Sequence, residues 1–453
     1  MYRIGSGAGF SGDRIDAAQP VVEAIAAAGE GGAIIFETIG ERTLALGQIA
    51  KRRNPKAGYE PLLEQFLPPI LKTCVENRIV IVGNFGCANP RAAADAILAI
   101  AEGQGLPGVR VAVVEGDDLV GRVDIDATER WEGDRHLPAP SGDIIAVNAY
   151  IGARPIAEAI RAGAQVVVTG RVADPALALG PLVAHFGWDW SDLDLMAAGT
   201  LAGHLLECGS QVSGGFFADP GYKDVPDPAN IGFPIAEVEA DGTFVLTKAD
   251  GTGGCIDTRT VKEQLLYEIH DPAAYLTPDV TLDLTEVEVV AVGRDRVRVT
   301  GARGHAAPAT LKATVGYYGD WLGEAEISYA GPNAFQRARL AVTIIRERIA
   351  KRALDVTSRA DVIGTTSVFD DDGGTLFAEF RGKNDGDYRV RFAFGGEVAA
   401  VEAAVQEVNA LYCCGPAGGG GVRQNVRPRV RTVSHLVPRS LVSVSHSFIG
   451  EAP

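Results

Sequence analysis

The sequence predicts an α/β fold: a Rossmann-like, mostly parallel sheet with helices on both faces, followed by a C-terminal α+β region with an antiparallel sheet. Three observations carry this. Apolar runs rich in β-branched residues alternate with helical patterns through the first half. Those runs are apolar nearly throughout, as expected of parallel strands buried on both faces. From about residue 280 the strands switch to a period of two, the mark of half-buried antiparallel strands. The 453 residues suffice for two or three domains with large cores, and the expected division is 1–230 and 231–453.

The elements follow in order. Strands are expected at Ala33–Phe36, Ile79–Val82, Val109–Val114, Ile144–Val147 and Val166–Val168. Helices are expected at Asp16–Ala28, Pro61–Glu76, Arg91–Glu102 and Pro155–Ala162, then at Ala176–His185 and Leu195–Leu206. Alternation of this kind builds a doubly wound sheet. A loop-rich bridge spans about Ser210 to Asp250, with a hairpin turn at Ala240-Asp241-Gly242. A short helix, Val261–Ile269, follows Cys255. Period-two strands appear at Thr285–Val289, Arg296–Val299, Leu311–Val315 and Glu324–Ile327. The amphipathic helix Phe335–Lys351, strands at Asp361–Ile363 and Tyr388–Phe392, and the helix Glu397–Leu411 complete an α+β pattern. The tail, Arg431 to Phe448, reads as strand that returns to an existing sheet.

Composition narrows the function classes. A net charge of −16 argues against a nucleic-acid surface, which needs a basic patch. It leaves room for an anionic small molecule held by a local Arg cluster. No apolar run approaches the ~20 residues of a bilayer span. Met1-Tyr2-Arg3-Ile4-Gly5 enters a strand without a signal-peptide pattern, so the cytoplasm is the expected compartment. The six Cys show no C-x-x-C spacing, and neither a zinc knuckle nor a disulfide framework is expected. An α/β chain of this size is expected to form a homo-oligomer.

Several motifs bear polar chemistry. Gly7-Ala8-Gly9-Phe10-Ser11-Gly12 matches the G-x-G-x-x-G turn of dinucleotide-binding folds, and Glu37 stands where a ribose-binding carboxylate would. Asp13, directly after it, puts negative charge where a phosphate would approach. The turn therefore reads either as nucleotide-binding or as a packing turn. Gly9, Ser11 and Arg14, with Ser6 and Asp13, line a pocket at a helix N-terminus in a third reading. Asn84 and Cys87 follow the strand ending at Val82, while Asn89-Pro90 reads as a helix start with Asn as N-cap. Cys87 lacks a local base that would make it a nucleophile.

Thr169, Arg171 and Asp174 follow Val166-Val167-Val168, at a strand end where ligands bind. Arg171 either clamps a carboxylate or phosphate through its planar fork or pairs with Asp174 at i,i+3. His204, Glu207 and Cys208 share one face of a helix end. A His–carboxylate pair there serves as general base or acid, as a metal ligand pair, or as a helix-end structural contact.

Taken together, Gly7 to Arg14, Glu37 through Thr43, Ala57 to Leu63, Asn89-Pro90, Tyr150 to Ala153, Gly170 to Pro175 and Phe186-Gly187-Trp188 resemble the acyclic terpene utilization AtuA family. So do His204 to Gly209, Ser213-Gly214-Gly215, Tyr275 to Val280 and Ser328 to Pro332, so that the resemblance covers nearly the whole chain. It implies a role near the breakdown of acyclic terpenoids such as citronellol and geraniol, through branched carboxylic acids and their CoA thioesters. A hydratase, lyase or hydrolase step is what it suggests. It transfers no catalytic residues. Where members are expected to carry a Gly-rich turn, this chain has Asn84-Phe85-Gly86-Cys87-Ala88, which bears on substrate choice. A small ferredoxin-like domain found in some members is not evident before Pro453, so it is expected as a separate partner chain.

The leading expectation is a cytoplasmic enzyme acting on a branched or hydroxylated organic acid or its CoA thioester. Arg171 holds the acid group, and Asp13, Glu37 or His204, helped by Glu207, moves the proton. The alternatives are a nucleotide-dependent oxidoreductase and a non-catalytic subunit of an acyl-CoA-processing complex. No cofactor is specified by the sequence, and no metal ligand set is assigned.

Overall fold

A computed structural model describes residues 1–131, 142–381 and 383–450. The chain divides into two compact units, and of the described residues the first takes in 1–131, 144–316 and 432–450, so it extends well past residue 230. The second comprises 142–143, 317–381 and 383–431.

The first unit opens with β1 (Tyr2–Ala8), α1 (Ala18–Ala28) and β2 (Gly32–Phe36). Three helices follow: α2 (Glu41–Arg53), α3 (Leu63–Phe66) and α4 (Leu71–Glu76). The single helix expected over Pro61–Glu76 is thus broken. Pro68 and Pro69 lie between its pieces, and proline lacks the N–H that a continuous helix needs. Then come β3 (Ile79–Gly83), α5 (Pro90–Gly103), β4 (Val111–Glu115), the two-residue β5 (Glu129–Arg130) and β6 (Ile144–Ala149). Next are α6 (Arg154–Arg161), β7 (Val166–Thr169), α7 (Ala176–Phe186) and α8 (Leu193–Glu207). The hairpin β8 (Pro234–Val238) and β9 (Phe244–Lys248) turns at Gly242, whose φ of 84° suits glycine. The short helix α9 (Thr258–Leu265) carries a capping box from Asp257 and Thr260. Short antiparallel strands follow: β10 (Tyr275–Leu276), β11 (Thr281–Asp283), β12 (Glu288–Gly293), β13 (Arg296–Thr300) and β14 (Arg303–His305).

Nine of these strands and a tail strand form a ten-stranded mixed sheet in the order β12, β13, β9, β8, β1, β2, β3, β7, β4 and β19 (Ser445–Phe448), while β10, β11 and β14 make a separate three-stranded sheet. The block β1-β2-β3-β7-β4 is parallel, and the strands flanking it are antiparallel. Its order differs from the mirrored 3-2-1-4-5-6 arrangement of a dinucleotide-binding sheet. Helices α1, α3, α4 and α5 pack on one face around Ile34, Ile81 and Val111. Helices α6, α7 and α8 pack on the other around Ile35, Val82 and Val167. Burial on both faces explains why these strands read as unbroken apolar runs.

One expected parallel strand is not in this sheet. β6 pairs with β15 (Thr310–Ala330), and the place beside β4 is taken by the antiparallel tail strand β19. An apolar run reports burial, not which neighbour a strand pairs with.

The second unit is an antiparallel sheet under two helices. β15 continues into it, followed by α10 (Ala334–Lys351), β16 (Val356–Ile363), α11 (Thr375–Glu379), β17 (Asp387–Gly396), α12 (Val398–Cys414) and β18 (Gly420–Pro438). β17 lies between β15 and β16. Its inward residues Tyr388, Val390, Phe392 and Phe394 form one core with Ala338, Val342, Val401 and Val408 of the two long helices. Among the described residues, no helix is long and apolar enough to cross a membrane.

Candidate active site

The parallel strands end nearly level. Ala8 pairs with Phe36, Phe36 with Gly83, Gly83 with Val168 and Val114 with Thr169. The next residues along the chain are therefore neighbours: Gly9, Glu37, Asn84 and Gly170-Arg171, with Asp117 slightly beyond β4. Chain leaving β1 and β3 feeds helices on one face, and chain leaving β4 and β7 feeds helices on the other. The crevice between β3 and β7 is thus a topological switch point, where open α/β sheets bind ligands.

Asn84 organises one wall. Its Oδ1 accepts from the Thr38 amide at 2.7 Å, and its Nδ2 donates to Glu37 Oε1 at 2.9 Å. The Ile39 amide donates to the same Glu37 oxygen at 2.8 Å. Glu37 Oε2 has no hydrogen bond among the described residues, although the residue is only 8% exposed. Burial pushes this carboxyl up to about 7, and the Glu207 charge adds to the rise. The Arg171 guanidinium and the Asn84 and Ile39 hydrogen bonds oppose it.

Arg171 is 1% exposed. Its Nε and Nη2 donate to the Val172 carbonyl at 2.8 and 2.5 Å. Nη1 donates to the Ile39 carbonyl, and Nη2 also pairs with Asp174. The structural i,i+3 pair is therefore present. A guanidinium has five N–H donors, so Arg171 is largely satisfied from within rather than open as a two-pronged clamp. Its charge lies 4.3 Å from the centre of the Tyr150 ring. The Tyr150 hydroxyl donates to Glu41 at 2.8 Å, and Lys312 lies 3.3 Å from the same carboxylate. Burial alone would raise Glu41, but Lys312 and these hydrogen bonds hold it down at about 2. Asp117 accepts from the Arg171 amide at 2.9 Å and from Asn148 Nδ2 at 2.7 Å, and burial pushes it up to about 6. Gly170 makes room for it: a Cβ there would lie 2.6 Å from the Asp117 carboxylate.

Helix α8 supplies the opposite wall, and two glycines set its position. A Cβ on Gly203 would lie 2.5 Å from the Pro175 carbonyl oxygen, and one on Gly9 would lie 2.4 Å from the Cys208 carbonyl carbon. His204 Nε2 faces the Leu265 carbonyl at 3.3 Å, and Nδ1 faces Glu207 Oε1 at 2.9 Å. A carbonyl only accepts, so Nε2 carries a proton, and one further proton lies between Nδ1 and Glu207. Burial lowers the His204 pKa, but the Glu207 carboxylate outweighs it and the net direction is upward. Burial raises Glu207 against the pull of His204 and Arg171. Glu207 Oε2 is buried without a hydrogen-bond partner. The Tyr275 ring packs 5.5 Å from the His204 ring, and burial together with Glu207 holds its hydroxyl well above the ordinary value.

Glu37, Asn84, Arg171, His204 and Glu207 thus share one neighbourhood: Arg171 lowers both Glu37 and Glu207, and Glu207 raises Glu37. Other expected residues turn elsewhere. Asp13 folds back on its own turn, accepting from the Gly9 and Arg14 amides at 2.8 Å each. The Gly9 amide is therefore taken, and α1 begins only at Ala18, so the turn offers no anion cradle leading into a helix. Arg14 is tied to Asp16 at 2.9 Å and to the Ile231 carbonyl at 3.0 Å, and Ser11 stays on the partly exposed turn. Thr169 Oγ1 donates to the Gly170 carbonyl at 3.0 Å. Cys87 is buried with its thiol pushed up to about 12 by burial, and burial and Glu207 raise Cys208 too, so neither is a thiolate near neutral pH. Asn89 occupies the N-cap position, but its side chain donates to the Pro55 and Ala57 carbonyls instead of capping α5.

Sequence reasoning passed over Asp117, Tyr150, Glu41, Lys312 and Tyr275 as site residues. Asp117 and Tyr150 obey the strand-end rule that found Asn84 and Arg171. Lys312 carries no local signal, because it reaches Glu41 from a distant strand. Among the described residues, no group of three or more His, Cys, Asp or Glu side chains is placed to hold a metal ion.

Residues 2–448 match the family described as acyclic terpene utilisation family protein AtuA. No curated protein matches the chain.

Proposed function

The chain belongs to the acyclic terpene utilisation AtuA family, and on that premise we propose that it catalyses a hydration or its reverse elimination on a branched or hydroxylated carboxylic acid or the CoA thioester of one. The observation that carries this reading is Glu37. It is a buried carboxyl at the switch point, raised to about 7, with its Asn84 and Ile39 hydrogen bonds both on Oε1, and it shares its neighbourhood with the hydrogen-bonded His204–Glu207 pair, whose Glu207 Oε2 is buried without a partner. General acid–base catalysis works best when the group's pKa lies near the working pH.

Hydration of a double bond conjugated to the acyl group needs two proton movements. The His204–Glu207 pair takes the proton from water as its oxygen bonds to the β-carbon. Glu37 gives its proton to the α-carbon, and elimination runs the same steps backwards. Negative charge that gathers on the acyl oxygen is stabilised by the buried Arg171 guanidinium, which acts through a low-dielectric interior and its remaining Nη1 hydrogen. This replaces the acid-clamping role expected of Arg171 from the sequence.

The test is a turnover screen of branched α,β-unsaturated acids and their CoA thioesters, followed by loss of the conjugated absorbance. Glu37→Gln and Glu207→Gln should each lower kcat by roughly 10²- to 10⁴-fold, the usual share of a general acid or base. Turnover that survives both substitutions would remove these groups from the mechanism.

A further inference from the structure

We propose that Gln264 and Glu207 hold the attacking water between them, each accepting one of its two hydrogens, so that Gln264 fixes where the new hydroxyl forms. This rests on the hydration reading above. Gln264 belongs to α9, away from the strand ends that supply Glu37 and Arg171, and it is 3% exposed. Its Nε2 donates to the His204 carbonyl at 3.1 Å. A carbonyl only accepts, so the nitrogen end of the amide faces His204 and the oxygen is the end left over. Gln264 Oε1 is buried without a hydrogen-bond partner, and so is Glu207 Oε2.

The two acceptors belong to one place. His204 links them, since its carbonyl takes Gln264 Nε2 and its Nδ1 faces Glu207 Oε1. Cys208 links them again. Its thiol is raised by burial and by the Glu207 and Glu37 charges, and the Gln264 side chain is in hydrogen-bonding contact with it. A buried acceptor left unpaired is costly, so two such acceptors call for a molecule with two donors. Water meets this in the least space, and it keeps a lone pair free to attack. As its oxygen bonds to the β-carbon, the hydrogen on Glu207 passes to the His204–Glu207 pair and Glu37 gives its proton to the α-carbon. The hydrogen on Gln264 stays as that of the product hydroxyl. In the elimination, Gln264 holds that hydroxyl while Glu207 returns the proton.

The experiment combines a high-resolution crystal structure of the full chain with kinetics of Gln264→Lys and Gln264→Glu, folding being checked by melting. The wild-type crystal should show a water within hydrogen-bond distance of both Gln264 Oε1 and Glu207 Oε2. Gln264→Lys keeps a donor for the His204 carbonyl but has no acceptor. On an acyl substrate found in the turnover screen it should lower kcat by roughly 10- to 100-fold with little change in KM. Gln264→Glu keeps an acceptor and should retain more of kcat than Gln264→Lys. A crystal without the bridging water overturns the proposal, whatever the turnover screen gives. So does wild-type kcat in Gln264→Lys, which would leave Gln264 only its bond to His204. A bridging water with no turnover on any substrate would instead remove the hydration reading, and with it the attacking role of that water.

Discussion

Glu37 combines a poor place for a charge with a good place for a catalyst. Its folded pKa of about 7 stands above the ordinary 4.5, so the folded state binds the proton more tightly. The carboxyl therefore costs nothing below about pH 4.5 and destabilises the fold increasingly as pH rises through about 7. The full cost is on the order of 3 kcal/mol. Glu37→Gln keeps an acceptor for the Ile39 and Asn84 donors but carries no charge. It should match the wild type in urea stability at pH 4 and exceed it by a few kcal/mol at pH 8. Equal stability at both pH values would mean that the carboxyl is not perturbed. At this scale the sequence was informative where chemistry is local. Glu37, Asn84 and Arg171 follow apolar runs, and His204 and Glu207 sit one helical turn apart. It anticipated the near pairs Arg171–Asp174 and His204–Glu207 but not the partners that come from distant chain. Arg171 reads either as a clamp or as the partner of Asp174, and the structure adds Val172 and Ile39 to Asp174 as the groups that occupy it.

Among the elements, α8 is the one whose placement makes the site. Its C-terminal turn touches the end of β1 at Gly9 and the loop after β7 through Gly203. Adding a methyl group at either contact forces backbone apart, since the nearest atoms would lie 2.4 and 2.5 Å away. Gly9→Ala and Gly203→Ala should each cost about 1–3 kcal/mol or more in a thermal or urea melt. Activity should fall further than stability, because the His204–Glu207 pair moves with the helix. A variant with wild-type stability would show that α8 can shift freely. Most helices were legible to within a few residues, because the apolar stripe of a helix is a local pattern, but α2, largely polar along Glu41–Arg53, was not among those expected. The failures have local causes as well: Pro68-Pro69 splits one helix, and Asn89 spends its side chain on Pro55 and Ala57 instead of a cap.

For the whole molecule, the tail closes what the parallel block leaves open. β19 covers the edge of β4, and the Arg110 guanidinium lies 4.2 Å from the Phe448 ring. Ending the chain after Pro438 would uncover β4 along Ala112 to Glu115. The truncated protein should melt at lower temperature and scatter light on heating, as exposed apolar edges do. An unchanged midpoint without aggregation would show that β19 is dispensable.

Sequence alone determined the mixed α/β character, the apolar strands, most helices and the family resemblance, because each is written in neighbouring residues. Tertiary structure decided the strand order, the exclusion of β6 from the main sheet, the filling of the Gly9 turn by Asp13 and the meeting of α8 with the strand ends. These depend on pairings between residues tens to hundreds of positions apart. The physical reason is that periodicity records how much water a residue sees, whereas the partner of a buried strand or charge is chosen by packing across the whole chain.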